Sequence, residues 1–247
     1  MTFPSLSGGS CSVRCFDRHG GMSKGAFTSL NVGRLVGDDH YAVENNRLQV
    51  KTTIGAATLL SAKQVHGDRV YCLEDAPTDD MEIEDVDGLI TNTPGIALMI
   101  QQADCQAVLF FDPIREVIAA VHCGWRGSVQ DILHGAILKM QECYGSVPAD
   151  LNVVISPSLG PCCAEFIYYQ KELPAVFQQF MVKESYFDFW QISRFQLVRA
   201  GVNEKNIHTV GTCTSCNDDY FSYRRASREN NGMTGRNCSL ILLSKLS

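Results

Sequence analysis

The middle of the chain carries a run of short apolar segments that follow one another with no amphipathic helix between them. Four of these segments have the β-branched, apolar composition of buried strands: Gly88–Thr91, Ile96–Ile100, Ala107–Phe111 and Glu116–Val121. A helical pattern appears only afterwards, over Ser128–Tyr144, and another strand-like segment follows at Leu151–Ile155. Parallel strands need long crossovers, usually helices, so this order argues against a doubly wound sheet. The sequence therefore predicts an α+β fold with mixed sheets.

The rest of the chain divides less sharply into elements. Further strands are predicted at Arg69–Leu73, Ile207–Gly211 and Cys238–Leu243, and helices at Asp39–Thr53, Ala164–Lys171, Leu173–Val182 and Gln191–Ala200. The acidic stretch Asp75–Asp87 is typical of a solvated loop. Because no repeat or low-complexity linker interrupts the 247 residues, we expect a single domain over 1–247.

Composition narrows the expected partners and compartment. The chain has 21 Lys and Arg against 27 Asp and Glu and no basic stripe, so we expect neither nucleic acid nor a membrane surface as a partner. No apolar stretch approaches the roughly 18 residues of a membrane span. Residues 1–21 lack the basic start and apolar core of a secretory signal. The 11 cysteines, an odd number, then favour free thiols in a reducing cytoplasm.

Three segments carry a His or Cys where an apolar, strand-like run ends: Lys63–Gly67 (KQVHG), Gln102–Gln106 (QADCQ) and Val121–Gly127 (VHCGWRG). The imidazoles of His66 and His122 and the thiolate of Cys105 suit zinc, and three ligands leave a fourth position for water or substrate. Taken singly, each segment also fits a structural histidine or a packing cysteine. The nucleotide and hydrolase motifs GxGxxG, GxxxxGK[ST] and GxSxG are absent, which argues against dinucleotide enzymes, P-loop NTPases and serine α/β-hydrolases.

Two clusters of functional side chains lie later in the sequence. Cys213 and Cys216 form a C-x-x-C pair, which fits a structural zinc site, a redox pair or plain packing. A zinc site wants a second pair at matching spacing, and the adjacent Cys162 and Cys163 lie far upstream. Four arginines follow the pair and fit either a solvated surface loop or a clamp for phosphate oxygens: Arg224, Arg225, Arg228 and Arg236.

The ordered set of motifs resembles one known family. KQVHG, DGLIT with ADC, HCGWRG, SPSLGPCC, and CTSC with FSYRR and TGRN are similar to the motifs of the YfiH-type family, also called laccase-domain or multicopper polyphenol oxidase-like proteins. The opening RHGGMSKGAFTSLNVG matches as well, so the resemblance runs from about Arg18 to the last predicted strand. Five motifs that agree in order are far more specific than any one of them.

The resemblance implies a fold, a site and an activity. The implied fold has α/β/β/α layers and is related to a bacterial toxin cysteine hydrolase fold. The implied catalytic metal ligands are His66, Cys105 and His122, with zinc as the ion and copper as the alternative. The implied activity is phosphorolysis of adenosine, inosine and S-methyl-5′-thioadenosine, with deamination of adenosine. The partners are then a nucleoside and phosphate, and the protein is expected to be a cytoplasmic monomer or homodimer.

Side chains near the implied ligands receive further predicted roles. Phosphate must be held against C1′ of the ribose while the base leaves, which calls for cationic side chains. Arg126, Arg225 and Arg236 are the candidates for that task. Gln64 and Asp104 flank the metal ligands and are candidates for orienting them.

The sequence departs from the family pattern at three positions. Cys123 stands where Ala is expected, Ala164 where an aromatic residue is expected, and Ser156 where Gly is expected. Cys123 places a second thiol beside a metal ligand, which bears on the choice of metal. The other two bear on the shape of the substrate pocket.

Other functions stay open at this point. A copper phenol oxidase is the older family description, although six histidines with no H-x-H pair cannot furnish four coppers. A thiol hydrolase with Cys105 as nucleophile and His122 as base is also chemically sound. A non-enzymatic interaction module is the remaining alternative.

Overall fold

The computed structural model describes residues 10–73, 75 and 77–244. Its strands in chain order are β1 Cys11–Cys15, β2 Thr58–Lys63, β3 Val70–Cys72, β4 Met81–Glu84, β5 Gly88–Thr91, β6 Ile96–Gln102, β7 Gln106–Asp112, β8 Val117–Cys123, β9 Asn152–Ile155, β10 Met181–Lys183, β11 Tyr186–Phe187, β12 Ile207–Thr209 and β13 Asn237–Leu243. Its α-helices are α1 His40–Ile54, α2 Trp125–Val129, α3 Ile132–Tyr144, α4 Tyr169–Glu172, α5 Phe189–Arg199 and α6 Tyr223–Glu229.

Two large sheets organise the chain. The first has the order β1-β13-β6-β2-β4, the second the order β12-β9-β7-β8-β5-β3, and β10 and β11 form a separate small ribbon. Both sheets are mixed: in the first, β6 pairs parallel with β2 and antiparallel with β13, and in the second, β9 pairs parallel with β12 and antiparallel with β7. The connection from β6 to β7 takes the chain from the first sheet to the second. The predicted α+β class with mixed sheets is confirmed.

Neighbouring residues on the central strands face different layers. Leu98 of the first sheet and Leu109 of the second share one buried cluster, which lies between the sheets. The next residue along each strand points the other way. Met99 packs with Val50 of α1, and Phe110 packs with the helix pair α3 and α5. The layers are therefore helix, sheet, sheet and helix, in the order that the family resemblance implies.

Most predicted elements are present, with their ends shifted by a few residues. The predicted strands correspond to β3, β5 to β9, β12 and β13. The predicted helix Asp39–Thr53 is α1: the Asp39 side chain accepts a hydrogen bond from the Ala42 N–H, and Gly55 ends the helix with a φ of 81°. The predicted helix Gln191–Ala200 is α5.

Other predictions about elements are wrong. The acidic stretch Asp75–Asp87 contains β4, an edge strand whose Glu82 carboxylate meets Arg34 and Arg47 instead of solvent alone. The predicted helix Ser128–Tyr144 is broken, because Asp131 adopts a φ of 57° between α2 and α3.

The segment before α5 is less regular than predicted. In place of helices over Ala164–Lys171 and Leu173–Val182, the structure has the short α4, a 3₁₀ run over Ala175–Phe180 and the strand β10. Aromatic packing of Phe166, Phe187 and Phe189 holds this segment together. Within the described ranges, none of the helices combines the length and apolar character needed to cross a bilayer.

Candidate metal centre

Three segments from both sheets bring His66, Cys105 and His122 together. His66 follows β2 of the first sheet, and His122 lies near the end of β8 in the second. Cys105 lies in the turn between β6 and β7, where the chain passes from one sheet to the other. The ligand atoms of these side chains all lie within 4.8 Å of one another. The predicted convergence of the three residues is thus what the fold produces.

A buried carboxylate orients this cluster. Asp87 lies just before β5, and its Oδ1 is 2.7 Å from Nδ1 of His122. A carboxylate at that position accepts the Nδ1 proton, so in the neutral form of the ring Nε2 of His122 carries the lone pair. Asp87 also accepts the backbone N–H groups of Val65, His66 and Gly67 at 3.2, 3.0 and 2.7 Å. One side chain therefore fixes both histidine-bearing segments.

The electrostatics of the cluster favour a thiolate. Burial alone raises the pKa of the Cys105 thiol, but the charge and hydrogen bond of His122, helped by His66, lower it to about 6. Burial likewise lowers the pKa of His122, but the Cys105 thiolate and Asp87 raise it to about 9. The hydrogen bond and charge of His122 hold the pKa of Asp87 below its ordinary value in spite of its burial. Each charged group thus stabilises its neighbours.

The backbone makes room for the ligands. A Cβ at Gly124 would lie 3.0 Å from the Cys105 sulfur and 3.3 Å from Cδ2 of His66, so a side chain there would crowd both. His66 and Asp104 have φ angles of 61° and 89°, a region that non-glycine residues adopt only when the surrounding structure imposes it. The hydrogen bonds of their neighbours to Asp87 and across the turn supply that constraint.

The donor set matches a thiophilic transition metal. Two imidazoles and a thiolate held at this spacing suit zinc or copper, and hard ions such as Mg²⁺ and Ca²⁺ prefer oxygen ligands. The cluster lies on the wall of a cavity of about 770 Å³, a size typical of small-molecule sites. Three protein donors beside an open cavity are the arrangement of a catalytic centre.

The three predicted phosphate ligands have different surroundings. Arg126 and Arg236 line the cavity. Arg126 is exposed and lies over the Trp125 ring at 4.8 Å. Arg236 is largely buried: burial lowers the pKa of its guanidinium, and the negative charges of Cys105 and Asp104 oppose that effect. Both cations face the space that a substrate would occupy.

Arg225 lies elsewhere. Its guanidinium donates to the backbone carbonyls of Thr214, Ser215 and Asn217, and it is not among the residues that line the cavity. The arginines after the C-x-x-C pair therefore do not act as one clamp: Arg225 lies in α6 and holds a loop. The proposed phosphate site therefore does not include Arg225.

The two predicted orienting residues form hydrogen bonds with the segments around the ligands. Gln64 donates to the Gln101 carbonyl and accepts the Gln101 N–H, each at 2.8 Å, which ties β6 to the segment that carries His66. Asp104 accepts the Thr214 hydroxyl at 2.7 Å and the Arg224 N–H at 2.6 Å. Both line the cavity, and both act on the loops next to a ligand.

Sequence reasoning missed Asp87 by placing it in a solvated acidic loop. Its position immediately before the buried strand Gly88–Thr91 was the available signal, because a carboxylate there enters the core and needs a partner. Cys123 is not one of the ligands: its sulfur is buried 3.3 Å from the Ser128 hydroxyl, and burial raises its pKa to about 12. Side chains alternate along β8, so Cys123 and His122 point to opposite faces.

The other two departures from the family pattern are buried. Ala164 lies on the cavity wall next to Phe166, so the small side chain leaves room where an aromatic one is expected. Ser156 accepts the Ala107 N–H at 2.9 Å and donates to the Pro157 carbonyl, so its hydroxyl supports the end of β9. Neither residue alters the three-donor cluster.

The fold and the cluster define a class: a two-sheet α+β protein with a His/Cys centre of three donors beside a cavity. The sequence profile of the family described as multi-copper polyphenol oxidoreductase laccase matches residues 12–244. The chain belongs to this laccase-like family, whose members include proteins named YfiH and YlmD.

Curated relatives and a solved structure agree with this placement. The purine nucleoside phosphorylase YlmD of Geobacillus stearothermophilus is 32% identical over 91% of this chain and 87% of its own length. The purine nucleoside phosphorylase YfiH of Shigella flexneri is 32% identical over 92% of this chain and 91% of its own. The crystal structure of the hypothetical protein YfiH of Bacillus licheniformis superposes with a TM-score of 0.86 at 29% identity, covering 95% of this chain and 93% of the other.

Proposed function

We propose that this protein is a purine nucleoside phosphorylase that cleaves adenosine, inosine and S-methyl-5′-thioadenosine with phosphate and also deaminates adenosine. The observation that carries the proposal is the three-donor cluster on the wall of a cavity large enough for a nucleoside. The relatives named purine nucleoside phosphorylase supply the reaction class. The partners are a nucleoside and phosphate, and a cytoplasmic monomer or homodimer stays the expected form.

His66, Cys105 and His122 would hold zinc in this proposal. Their donor types fit that ion, and the space around Gly124 leaves the ligands free to converge. The bound ion supplies Lewis acidity on the cavity side of the centre. Asp87 holds the proton on Nδ1 of His122, so Nε2 is the nitrogen that would give up its proton and bind the ion.

The cavity offers both an aromatic and a cationic surface. Trp125, Phe166, Phe189 and Tyr223 line it, and flat apolar rings are suited to stack on a purine base. Trp125 and Phe166 meet edge to face with their ring centroids 6.1 Å apart, so they form one continuous wall. The nucleobase binds on this wall in the proposal.

Arg126 and Arg236 would position the phosphate. Guanidinium groups form paired hydrogen bonds with phosphate oxygens, and holding phosphate against C1′ removes much of the entropic cost of the displacement. Arg236 faces the negative charges of Cys105 and Asp104, so it brings positive charge close to the centre. Arg126 is exposed and free of a carboxylate partner among the described residues, which leaves its guanidinium available to an incoming anion.

One assay tests the proposal directly. The purified protein, with its metal quantified, is incubated with adenosine, inosine and S-methyl-5′-thioadenosine, with and without phosphate, and the products are separated. We expect phosphate-dependent release of adenine from adenosine and a slower, phosphate-independent formation of inosine. If neither product exceeds a heat-killed control while copper-loaded protein oxidises phenols, the enzyme is a copper oxidase instead.

A second candidate function rests on the same residues. Asp87, His122 and Cys105 form an acid, base and nucleophile series of the kind that thiol hydrolases use, and the pKa of Cys105 near 6 supplies a thiolate at neutral pH. The expected relation to the toxin cysteine hydrolases, which stays a prediction, would agree with it. Removal of metal separates the two functions. A chelated protein loses nucleoside cleavage in the first case, and a thiol hydrolase keeps its activity without metal.

A further inference from the structure

The fold brings the C-x-x-C pair against two cysteines that lie far away in the sequence. Strands β9 and β12 are parallel neighbours, so the chain leaves both at the same edge of the second sheet. The two loops continue side by side, with a bridge between Ser158 and Cys213. Cys162 and Cys163 lie in one loop, Cys213 and Cys216 in the other. The sheet topology thus places Cys162 and Cys163 beside the C-x-x-C pair, although their spacing in the sequence does not show it.

The four sulfur atoms form a compact group. All of them lie within 4.8 Å of one another. The Cys216 sulfur is 3.5 Å from that of Cys162 and 3.3 Å from that of Cys163. A tetrahedral zinc ion with Zn–S bonds of about 2.3 Å holds its sulfur ligands about 3.8 Å apart. The observed group is close to that arrangement, and it engages four sulfurs at once, whereas a single disulfide would engage only two.

We propose that Cys162, Cys163, Cys213 and Cys216 bind one structural zinc ion, separate from the ion at His66, Cys105 and His122. We refer to these residues as the four-cysteine centre. Four thiolates and no open position are typical of structural zinc sites. Tetrahedral sites made of four sulfurs select zinc or iron among the common biological metals, and zinc, which has no redox chemistry, is the usual ion of closed structural sites.

The C-x-x-C segment forms a compact turn. It closes with hydrogen bonds from the N–H groups of Cys216 and Asn217 to the Cys213 carbonyl at 3.3 and 3.1 Å. These bonds hold Cys213 and Cys216 close together, so that both sulfur atoms can bind the same ion.

The approach of the two loops requires a glycine between them. A Cβ at Gly160 would lie 2.9 Å from the Cβ of Cys213 and 2.8 Å from the Trp190 ring. Real Cβ atoms do not approach other atoms so closely, so Gly160 is what lets the Cys162 loop reach the C-x-x-C turn. This second observation is independent of the sulfur distances.

The loop that carries Cys162 also forms part of the cavity wall, and both loops bond to Asp104. The Leu159 N–H donates to the Asp104 carbonyl at 2.8 Å, and the Thr214 hydroxyl donates to the Asp104 carboxylate at 2.7 Å. Asp104 directly precedes Cys105 in the sequence. A zinc ion at the four-cysteine centre would therefore link the two loops that bond to Asp104, the residue next to the ligand Cys105.

Metal counting on purified holoprotein tests the proposal. We expect two zinc ions per chain in the wild type. The Cys213→Ser, Cys216→Ser double variant should retain one, and His66→Ala should retain the other. Cys143→Ser is the matched control, because Cys143 is an exposed free cysteine outside both clusters, and this variant should keep two.

A spectroscopic measurement removes the dependence on variants that fold. Cadmium-loaded wild-type protein should give two ¹¹³Cd resonances, one in the region of four-sulfur sites and one in the region of mixed nitrogen and sulfur sites. A resonance of the four-sulfur type in the wild type supports the proposal, and its absence contradicts it.

Three results would overturn it. One is a wild-type protein that binds a single ion, lost in His66→Ala and kept in the double serine variant. Another is an iron-filled sulfur site in place of zinc. The third is a disulfide among the four cysteines in protein purified under reducing conditions, detected by mass spectrometry after alkylation. None of these results depends on whether the first centre cleaves nucleosides.

Discussion

The two clusters of metal-binding side chains differ in donor type, in openness and in what holds them in place. The centre at His66, Cys105 and His122 has three donors of two kinds, opens into a cavity and is oriented by the buried carboxylate of Asp87. The four-cysteine centre has one kind of donor, fills every position of a tetrahedron and is held by the C-x-x-C turn and by the close approach of two loops at Gly160. An open position is what chemistry at a metal needs, and a closed shell is what a structural link needs. In this fold the open centre thus serves the reaction and the four-cysteine centre stabilises the structure.

Asp104 connects the two regions. Loops from the four-cysteine centre bond to both its carbonyl and its carboxylate, and its neighbour Cys105 is a ligand of the open centre. The comparison therefore predicts unequal effects of substitutions. Substitutions at the open centre should remove activity. Substitutions at the closed centre should lower the stability of the fold and should lower activity only by moving Asp104.

The largest contrast is expected between Cys105→Ala and the Cys213→Ser, Cys216→Ser double variant. Cys105→Ala removes a ligand of the open centre, so its metal should be lost and kcat/KM for phosphorolysis should fall by about 10³ or more, as expected when Lewis acid stabilisation of several kcal/mol is lost. The double variant should lower kcat/KM by about tenfold at most while lowering Tm. Elemental analysis, steady-state kinetics and thermal melts measure these effects. Equal losses of activity would show that the two regions do not divide the work in this way.

Asp87→Asn should have the next largest effect. The amide cannot match the carboxylate that pairs with His122 and accepts three N–H groups, so metal affinity or activity should fall by about 10- to 100-fold. Metal titration and kinetics on the same preparation measure the change. Zinc at the four-cysteine centre should be unaffected.

Asp85→Asn is the control for that substitution. Asp85 is exposed, lies two residues upstream and has a φ of 56°, which asparagine tolerates. The Asp85→Asn substitution removes one negative charge from the same segment, as Asp87→Asn does. Comparable losses in Asp85→Asn and Asp87→Asn would assign the effect to net charge, and the orienting role of Asp87 would be wrong.

The open centre was more predictable from the sequence than the closed one, and the reason is physical. His66 and Cys105 each follow an apolar strand and His122 lies near the end of another, and functional side chains collect at strand ends, so each ligand has a local signal in the sequence. Cys162 and Cys163 precede Cys216 by 54 and 53 residues. Only the parallel pairing of β9 with β12 brings them together. Long-range pairing of short strands leaves no local signal in a single sequence.

The same distinction explains the errors in the fold. The central strands and α1 carry clear periodicity or capping signals, and they were predicted. Strand β4 is an edge strand with acidic side chains, so its pattern resembles a loop until Arg34 and Arg47 are placed beside Glu82. The break between α2 and α3 at Asp131 interrupts a continuous helical pattern, because the backbone there adopts a left-handed conformation that the apolar spacing does not report.

Gly124→Ala should produce a smaller and more local effect at the open centre. The added methyl group would lie 3.0 Å from the Cys105 sulfur and 3.3 Å from Cδ2 of His66, so the ligands must move apart slightly. Overpacking of this kind costs about 1–3 kcal/mol, and the lower part of that range, about 1.4 kcal/mol, corresponds to a tenfold loss in metal affinity. Gly135→Ala is the control: it adds a methyl group in α3 with no atom within 4 Å, and it should raise stability and leave metal affinity unchanged. If both variants bind metal like the wild type, the close packing at Gly124 does not govern the centre.

The smallest effect separates two arginines that the sequence alone treats alike. Arg126 is exposed on the cavity wall, whereas Arg225 donates to three carbonyls of the loop that carries Cys213 and Cys216. Arg126→Ala should raise KM for phosphate about fivefold, because one exposed guanidinium contributes at most about 1 kcal/mol, and it should change deamination less because that reaction uses no phosphate. Arg225→Ala should leave KM for phosphate unchanged and speed the release of zinc from the four-cysteine centre to a chelator. A raised KM for phosphate in Arg225→Ala, with normal zinc retention, would move the phosphate site to α6 and reverse the assignment of the two arginines.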